Sequence, residues 1–218
     1  MMPNNNLKEQ LKGIYVITDP ALMTDNLITM VEQAIQGGIN ILQYRNKLAS
    51  IEQQEKEASL LTTLCNKHNV TFIVNDNVEL ALKVNADGVH LGQSDTDISN
   101  ARQQLGDDKI IGITCNNELM HAIKAQSQGA DYVAFGRFFN SLTKPTAPQA
   151  PISLLSEAKN TINIPIVAIG GITPDTANIL LAQGVSMLAI IQGIFGQAEV
   201  QAASREFVDI FNAHNAAD

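Results

Sequence analysis

Residues 110–136 read IIGITCNNELMHAIKAQSQGADYVAFG, and they hold the unit from which the rest of the chain is built. IIGIT (110–114) is a near-continuous apolar run, as expected of a strand buried on both faces. Over 117–128 the apolar residues Leu119, Ala122, Ile123 and Ala125 recur at helical spacing, which predicts an amphipathic helix. YVAFG (132–136) is apolar again. A strand, a helix and a second strand at this spacing read as parallel strands joined by a helical crossover.

The same rhythm extends in both directions. Further strand candidates are GIYVIT (13–18), INILQY (39–44), TFIVN (71–75), GVHLG (88–92), IVAIG (166–170) and MLAII (187–191). Residues 25–36 carry Leu27, Met30, Val31, Ala34 and Ile35 at helical spacing, and a last helix is expected over 199–213. Eight such units in 218 residues predict an α/β fold, a single (β/α)8 TIM barrel of about 13–213 with polar tails. A doubly wound open sheet is the alternative; the count of eight favours the barrel.

Composition narrows the function classes. The chain is 45% hydrophobic and 17% charged, enough to bury a core and too apolar for general disorder. Fourteen Lys+Arg against 22 Asp+Glu give a net charge of −8, so no basic face for nucleic acid is evident. No run approaches the roughly 18 apolar residues of a membrane span. The start, MMPNNNLKEQLK, lacks the apolar core of a secretory signal. Cys65 and Cys115 form no C-x-x-C, which predicts a reduced cytoplasmic protein without disulfide or zinc. Monomer and homodimer both remain open.

In a barrel the chemistry sits where strands end. The second strand ends in Gln43-Tyr44-Arg45-Asn46-Lys47, and alternation puts Gln43, Arg45 and Lys47 on one side. That cationic pair suits an anion such as a phosphate; a solvated charge pair is the alternative. Asp76 and Asp95 follow the third and fourth strands and fit one Mg2+, which takes one or two carboxylates plus phosphates and water. Helix capping is the competing reading for both, with Asp97 a rival cap. Asn75 and Thr114 close the third and fifth strands, and Cys115 is expected to be a small wall residue.

After the sixth strand, RFFNSLTKPTAPQAP (137–151) has three prolines and no helical period. Its Ser141, Thr143 and Lys144 would make a phosphate lid, or an ordinary polar loop. Gly170-Gly171 and Ile191-Gln192-Gly193 end the last two strands, where barrels often hold phosphate. His90 reads as a satisfied interior residue, and His68, His121 and His214 as helix or terminal surface positions. Two anion patches, one carboxylate pair and no strong general base suit the departure of a pyrophosphate.

Over about residues 13–195 the chain resembles the thiamine phosphate synthase family. The resemblance is carried by YVITD, Gly37-Gly38, QYRNK, VNDN, ADGVHLGQSD, IIGITC, GADYVAFGRFFNSLTKP and PIVAIGGI, in that order. It implies a TIM-barrel transferase joining 4-amino-2-methyl-5-hydroxymethylpyrimidine diphosphate to a thiazole phosphate, with release of pyrophosphate before the thiazole nitrogen attacks. It implies that Gln43, Arg45, Lys47, Asn75, Thr114 and Lys144 hold the pyrimidine diphosphate, and that Asp76 and Asp95 bind Mg2+. Catalysis would fall to Arg45, Lys47 and Lys144. Ser141, Thr143, Gly171, Ile191 and Gln192 would receive the thiazole phosphate.

Two positions depart from the family pattern. Gln192 stands where many relatives have Ser, and Arg137 where Pro is common. A thiazole tautomerase, a non-catalytic precursor-binding barrel and an unrelated phosphate-binding barrel are the rival readings. None of them calls for the Gln43/Arg45/Lys47, Asp76/Asp95 and Lys144 sets together.

Overall fold

The computed structural model of the chain describes residues 8–23, 27–140 and 148–217. Eight parallel strands form a closed barrel in sequence order. They are β1 (Gly13–Ile17), β2 (Ile41–Tyr44), β3 (Thr71–Asn75), β4 (Gly88–Leu91), β5 (Ile110–Asn116), β6 (Tyr132–Phe135), β7 (Ile166–Ile169) and β8 (Met187–Ile190). Helices α1 (Leu27–Gly37), α2 (Ile51–His68), α3 (Val78–Lys83), α4 (Ile98–Leu105), α5 (Leu119–Ser127), α6 (Ser153–Thr161) and α7 (Pro174–Leu181) join them. A one-turn helix α8 (Gln192–Phe195) and the long α9 (Val200–Ala217) follow β8. The ring closes where β1 pairs with β8, Tyr15 opposite Ala189. The chain is therefore the (β/α)8 barrel that its strand count predicts.

Alternation along each strand sorts the apolar residues into two layers. Tyr15, Ile17, Ile41, Ile73, Ile110, Tyr132, Val167 and Met187 pack together inside the barrel. The intervening positions, such as Val16, Leu42, Phe72 and Val133, pack outward under the helices.

The strands differ from their expected bounds in two places. β2 starts at Ile41 rather than 39, because Asn40 folds its side chain onto β1: its Oδ1 accepts from Ile14 N at 2.9 Å. β5 runs past 114 to Asn116, with a register shift against β6 between Thr114 and Asn116. Asn116 takes a positive φ of 52°, which Asn tolerates better than most residues.

The N-terminal end of the barrel is sealed. Leu11, after a 3-10 turn at Lys8–Gln10, is 3% exposed and packs under the inner layer. Beside it Asp131 accepts from Arg102 Nη2 at 2.6 Å and Ile111 N at 2.8 Å, and pairs with Lys8 Nζ at 2.7 Å. Asp87 accepts from Phe72 N at 2.8 Å on the same side. The C-terminal end is open, and the inner positions there change from apolar to polar: Ile41 gives way to Gln43, Ile73 to Asn75, Gly88 to His90, Gly112 to Thr114.

Candidate active site

That open end holds a cavity of about 320 Å³. Gln43, Arg45, Asn75, His90, Thr114, Gly171, Ile191 and Gln192 all line it, so most of the residues singled out in the sequence come together. Ile17, Ala134, Ile169 and Ala189 supply apolar wall between them. Ser141, Thr143 and Lys144 lie outside the described residues.

The loop from β2 to α2 is built to aim its cations. Thr18 clasps the end of β2, accepting from Arg45 N at 2.8 Å and donating to Arg45 O at 3.1 Å. Glu57 of α2 accepts from Tyr44 Oη at 2.6 Å and Asn46 Nδ2 at 3.0 Å. Asn46 in turn accepts from the amides of Leu48 and Ala49, and Ser50 caps α2 by accepting from Gln53 N. The odd-numbered side chains are left pointing at the barrel mouth. Among the described residues, none accepts a hydrogen bond from the Arg45 guanidinium.

Lys47 reaches across to β3, its Nζ 2.6 Å from Asp76 Oδ2. Asp76 takes a φ of 60° and does not cap α3; Asn77 does, accepting from Leu80 N. Asp95 does not cap α4 either, since Asp97 accepts from Asn100 N there. Asp95 instead accepts from Gly92 N at 2.7 Å and shares a hydrogen bond with Asp76. Partial burial opposes ionisation of Asp76, but hydrogen bonds from Lys47, Asp95 and Asn75 and the Lys47 charge outweigh it and hold its pKa low. Burial raises the pKa of Asp95, and the neighbouring Asp76 carboxylate raises it further. Paired hard oxygens in mutual repulsion fit a divalent cation such as Mg2+.

On the far side, the loop after β7 passes Gly170 and Gly171 with φ of 104° and 66°, the left-handed region that glycine adopts without strain. Gly171 approaches the Asn140 carbonyl too closely for any side chain. Gln192 opens α8, and its side chain lies back over Gly196, where a Cβ would overlap its Nε2. That missing side chain accommodates the longer residue in place of Ser. Arg137 lines the cavity, with Nη1 donating to Phe139 O at 3.3 Å and Asn140 Oδ1 at 3.4 Å.

Some placements were not foreseen. Cys115 is no wall residue of the cavity: Thr114 faces inward, so Cys115 faces outward into the helix-covered layer. Asn116 and Asn140 line the cavity without having been singled out, the first because the bulge lengthens β5. His90 is satisfied and interior, as expected, and it also borders the cavity.

A barrel whose strand ends gather guanidinium charge, a carboxylate pair and glycine turns around an apolar cavity has the features of the phosphate-handling TIM-barrel enzymes. The comparisons define which. Residues 14–194 match the family model described as thiamine monophosphate synthase. The thiamine-phosphate synthase of Alcanivorax borkumensis is 47% identical over 212 residues, 95% of this chain and 98% of that protein. That of Thioalkalivibrio sulfidiphilus is 45% identical over 205 residues, 93% of this chain and 97% of that protein. The structure of thiamine phosphate pyrophosphorylase from Pyrococcus furiosus superposes with a TM-score of 0.88 at 33% identity, covering 96% of this chain and 99% of that one. A 3-hexulose-6-phosphate synthase, at 18% identity and a TM-score of 0.70, shares the fold alone. The chain belongs to the thiamine monophosphate synthase family, and so to the transferases of thiamine biosynthesis.

Proposed function

We propose that the protein condenses 4-amino-2-methyl-5-hydroxymethylpyrimidine diphosphate with a thiazole phosphate to give thiamine phosphate and pyrophosphate. The observation that carries this reading is the cluster of Arg45, Lys47, Asp76 and Asp95 at the mouth of an apolar cavity lined by Gln43, Asn75 and Thr114. Cationic and metal-binding groups are concentrated where a diphosphate would leave, and no strong base is needed.

In this reading Arg45 binds the terminal phosphates through its guanidinium fork, and Lys47 leaves Asp76 to follow the charge onto them. Asp76 and Asp95 hold Mg2+, which when bound supplies further neutralisation of the leaving pyrophosphate. Gln43, Asn75 and Thr114 orient the pyrimidine. Ser141, Thr143, Gly171 and the backbone at Ile191 and Gln192 hold the thiazole phosphate, and Lys144 helps bind the diphosphate. The carbon–oxygen bond breaks first, the pyrimidine amino group stabilises the methylene cation, and the thiazole nitrogen then attacks. Ile17, Ala134, Ile169 and Ala189 keep water from that cation. Positioning of two rings and stabilisation of developing charge account for the rate.

We place the protein in the cytoplasm. No helix among the described residues is long and apolar enough to cross a membrane, and Cys65 and Cys115 are buried and unbridged. The test is direct. Purified protein is incubated with both substrates, with Mg2+ or with chelator, and thiamine phosphate and pyrophosphate are read by chromatography. Mg2+-dependent formation of both is expected; folded protein that binds the substrates and forms neither product would refute the reading.

A further inference from the structure

Beneath the charged rim, side chains from five strands are joined end to end across the barrel. Gln43 Nε2 donates to Tyr15 Oη at 2.7 Å. The Tyr15 and Tyr132 hydroxyls are 2.7 Å apart. Tyr132 Oη lies 2.9 Å from His90 Nδ1, and His90 Nε2 lies 2.7 Å from Thr114 Oγ1. The rings are held as well: His90 stacks on Tyr132 at 5.5 Å, and Tyr15 meets Tyr132 edge-on at 5.9 Å. Gly112 makes the arrangement feasible, because a Cβ there would overlap the Tyr132 phenol.

Counting protons gives the chain a direction. A carboxamide nitrogen only donates, so Tyr15 Oη accepts from Gln43 and passes its single proton to Tyr132. Tyr132 then donates to His90 Nδ1. That leaves His90 Nε2 to donate to Thr114 Oγ1. The Thr114 hydroxyl proton is left for the cavity. At the other end Gln43 is 2% exposed yet lines the cavity, and among the described residues nothing donates to its Oε1. Burial raises the pKa of both phenols, so neither breaks the chain by ionising near neutrality.

We propose that Tyr15, Tyr132 and His90 are positioning residues that fix the polarity of this chain, so that the cavity floor offers one acceptor, Gln43 Oε1, and one donor, the Thr114 hydroxyl. A flat heteroaromatic ring bearing an amino group near a ring nitrogen matches that pair. The inference rests on the proposed pyrimidine diphosphate reaction for its ligand, and on the hydrogen-bond chain alone for its polarity.

Two measurements test it. Long-range 1H–15N spectra of the full chain with 15N-labelled histidine, His90 assigned by its loss in His90→Gln, should show a neutral ring protonated on Nε2 at pH 7. A proton on Nδ1 would run the chain backwards and overturn the proposal. By calorimetry, Tyr132→Phe should weaken binding of the pyrimidine diphosphate about tenfold, the worth of one hydrogen bond, and leave thiazole phosphate affinity unchanged. Equal weakening of both, or of neither, would reduce the tyrosine to a structural part and sink the idea. If Tyr132→Phe does not fold, wild-type protein should still bind the diphosphate about tenfold more tightly than an analogue with hydrogen in place of the amino group; equal binding would also overturn it. Wild-type protein that binds no pyrimidine diphosphate would break the functional reading and with it the ring placement, and the His90 spectrum would still decide the polarity.

Discussion

At the N-terminal end of the barrel, Asp131 is met by Lys8, by Arg102 and by the Ile111 amide. At the C-terminal end, Asp76 and Asp95 are hydrogen-bonded to each other, Lys47 pairs with Asp76, and the Arg45 guanidinium has no acceptor among the described residues. One end satisfies its charges within the fold. The other, among the described residues, leaves charges of both signs crowded and incompletely matched. Charge at the sealed end therefore supports folding, whereas in the proposed function charge at the open end serves binding.

The contrast breaks first at Asp76. Asp76→Ala should cut Mg2+-dependent turnover by about a hundredfold or more and lower Mg2+ affinity. Normal turnover with undiminished Mg2+ binding would remove the metal role. Arg45→Ala should weaken pyrimidine diphosphate binding by roughly tenfold to a hundredfold, the range of a charge-assisted hydrogen bond, and spare the thiazole phosphate; separate titrations decide. Asp131→Ala should do the reverse of both. It takes the carboxylate from Arg102 and strands the Ile111 amide, so denaturant melts should show a loss of about 3 kcal/mol, while kcat of the remaining folded protein stays within about twofold. A loss of kcat without loss of stability would erase the distinction between the ends.

A smaller effect belongs to the layers between them. Burial pushes the Cys65 and Cys115 thiols up to about 12, and raises the Tyr15 and Tyr132 phenols. These groups stay protonated in the folded state, while the unfolded chain ionises from about pH 8.5 to 10. Their stabilisation is complete below that range and is lost as pH rises toward the folded values. Melting temperature should fall steadily from about pH 9 upward, and thiol reagents at pH 8 should label the native protein far more slowly than the unfolded chain. A flat alkaline profile would contradict the burial.

The strands were legible because β-strands buried on both faces read as near-continuous apolar runs, and most of the eight do. The rim was legible for a related reason: Arg45, Lys47, Asp76 and Asp95 are charged residues at the moment an apolar run stops. The cavity floor was not. Tyr15 and Tyr132 are separated by 117 positions and look like ordinary core residues until the barrel sets their hydroxyls together. His90 could be read as satisfied but not as part of a line of five groups. Asn116 was hidden by the β5 bulge, since counting apolar residues ends the strand at Thr114. Capping propensity misled at Asp76 and Asp95 because each has a neighbour, Asn77 and Asp97, that takes the cap.

The pairing of β1 with β8 has a consequence during synthesis. Tyr15 is synthesised long before its neighbour Ala189. Until then β1 presents an unpaired edge to the cell, the arrangement most prone to wrong strand pairing. Closure joins residues far apart in sequence, which is slow. The cavity, walled on one side by β8, has no complete form in a nascent chain, so activity and protection from aggregation should begin at the same late step.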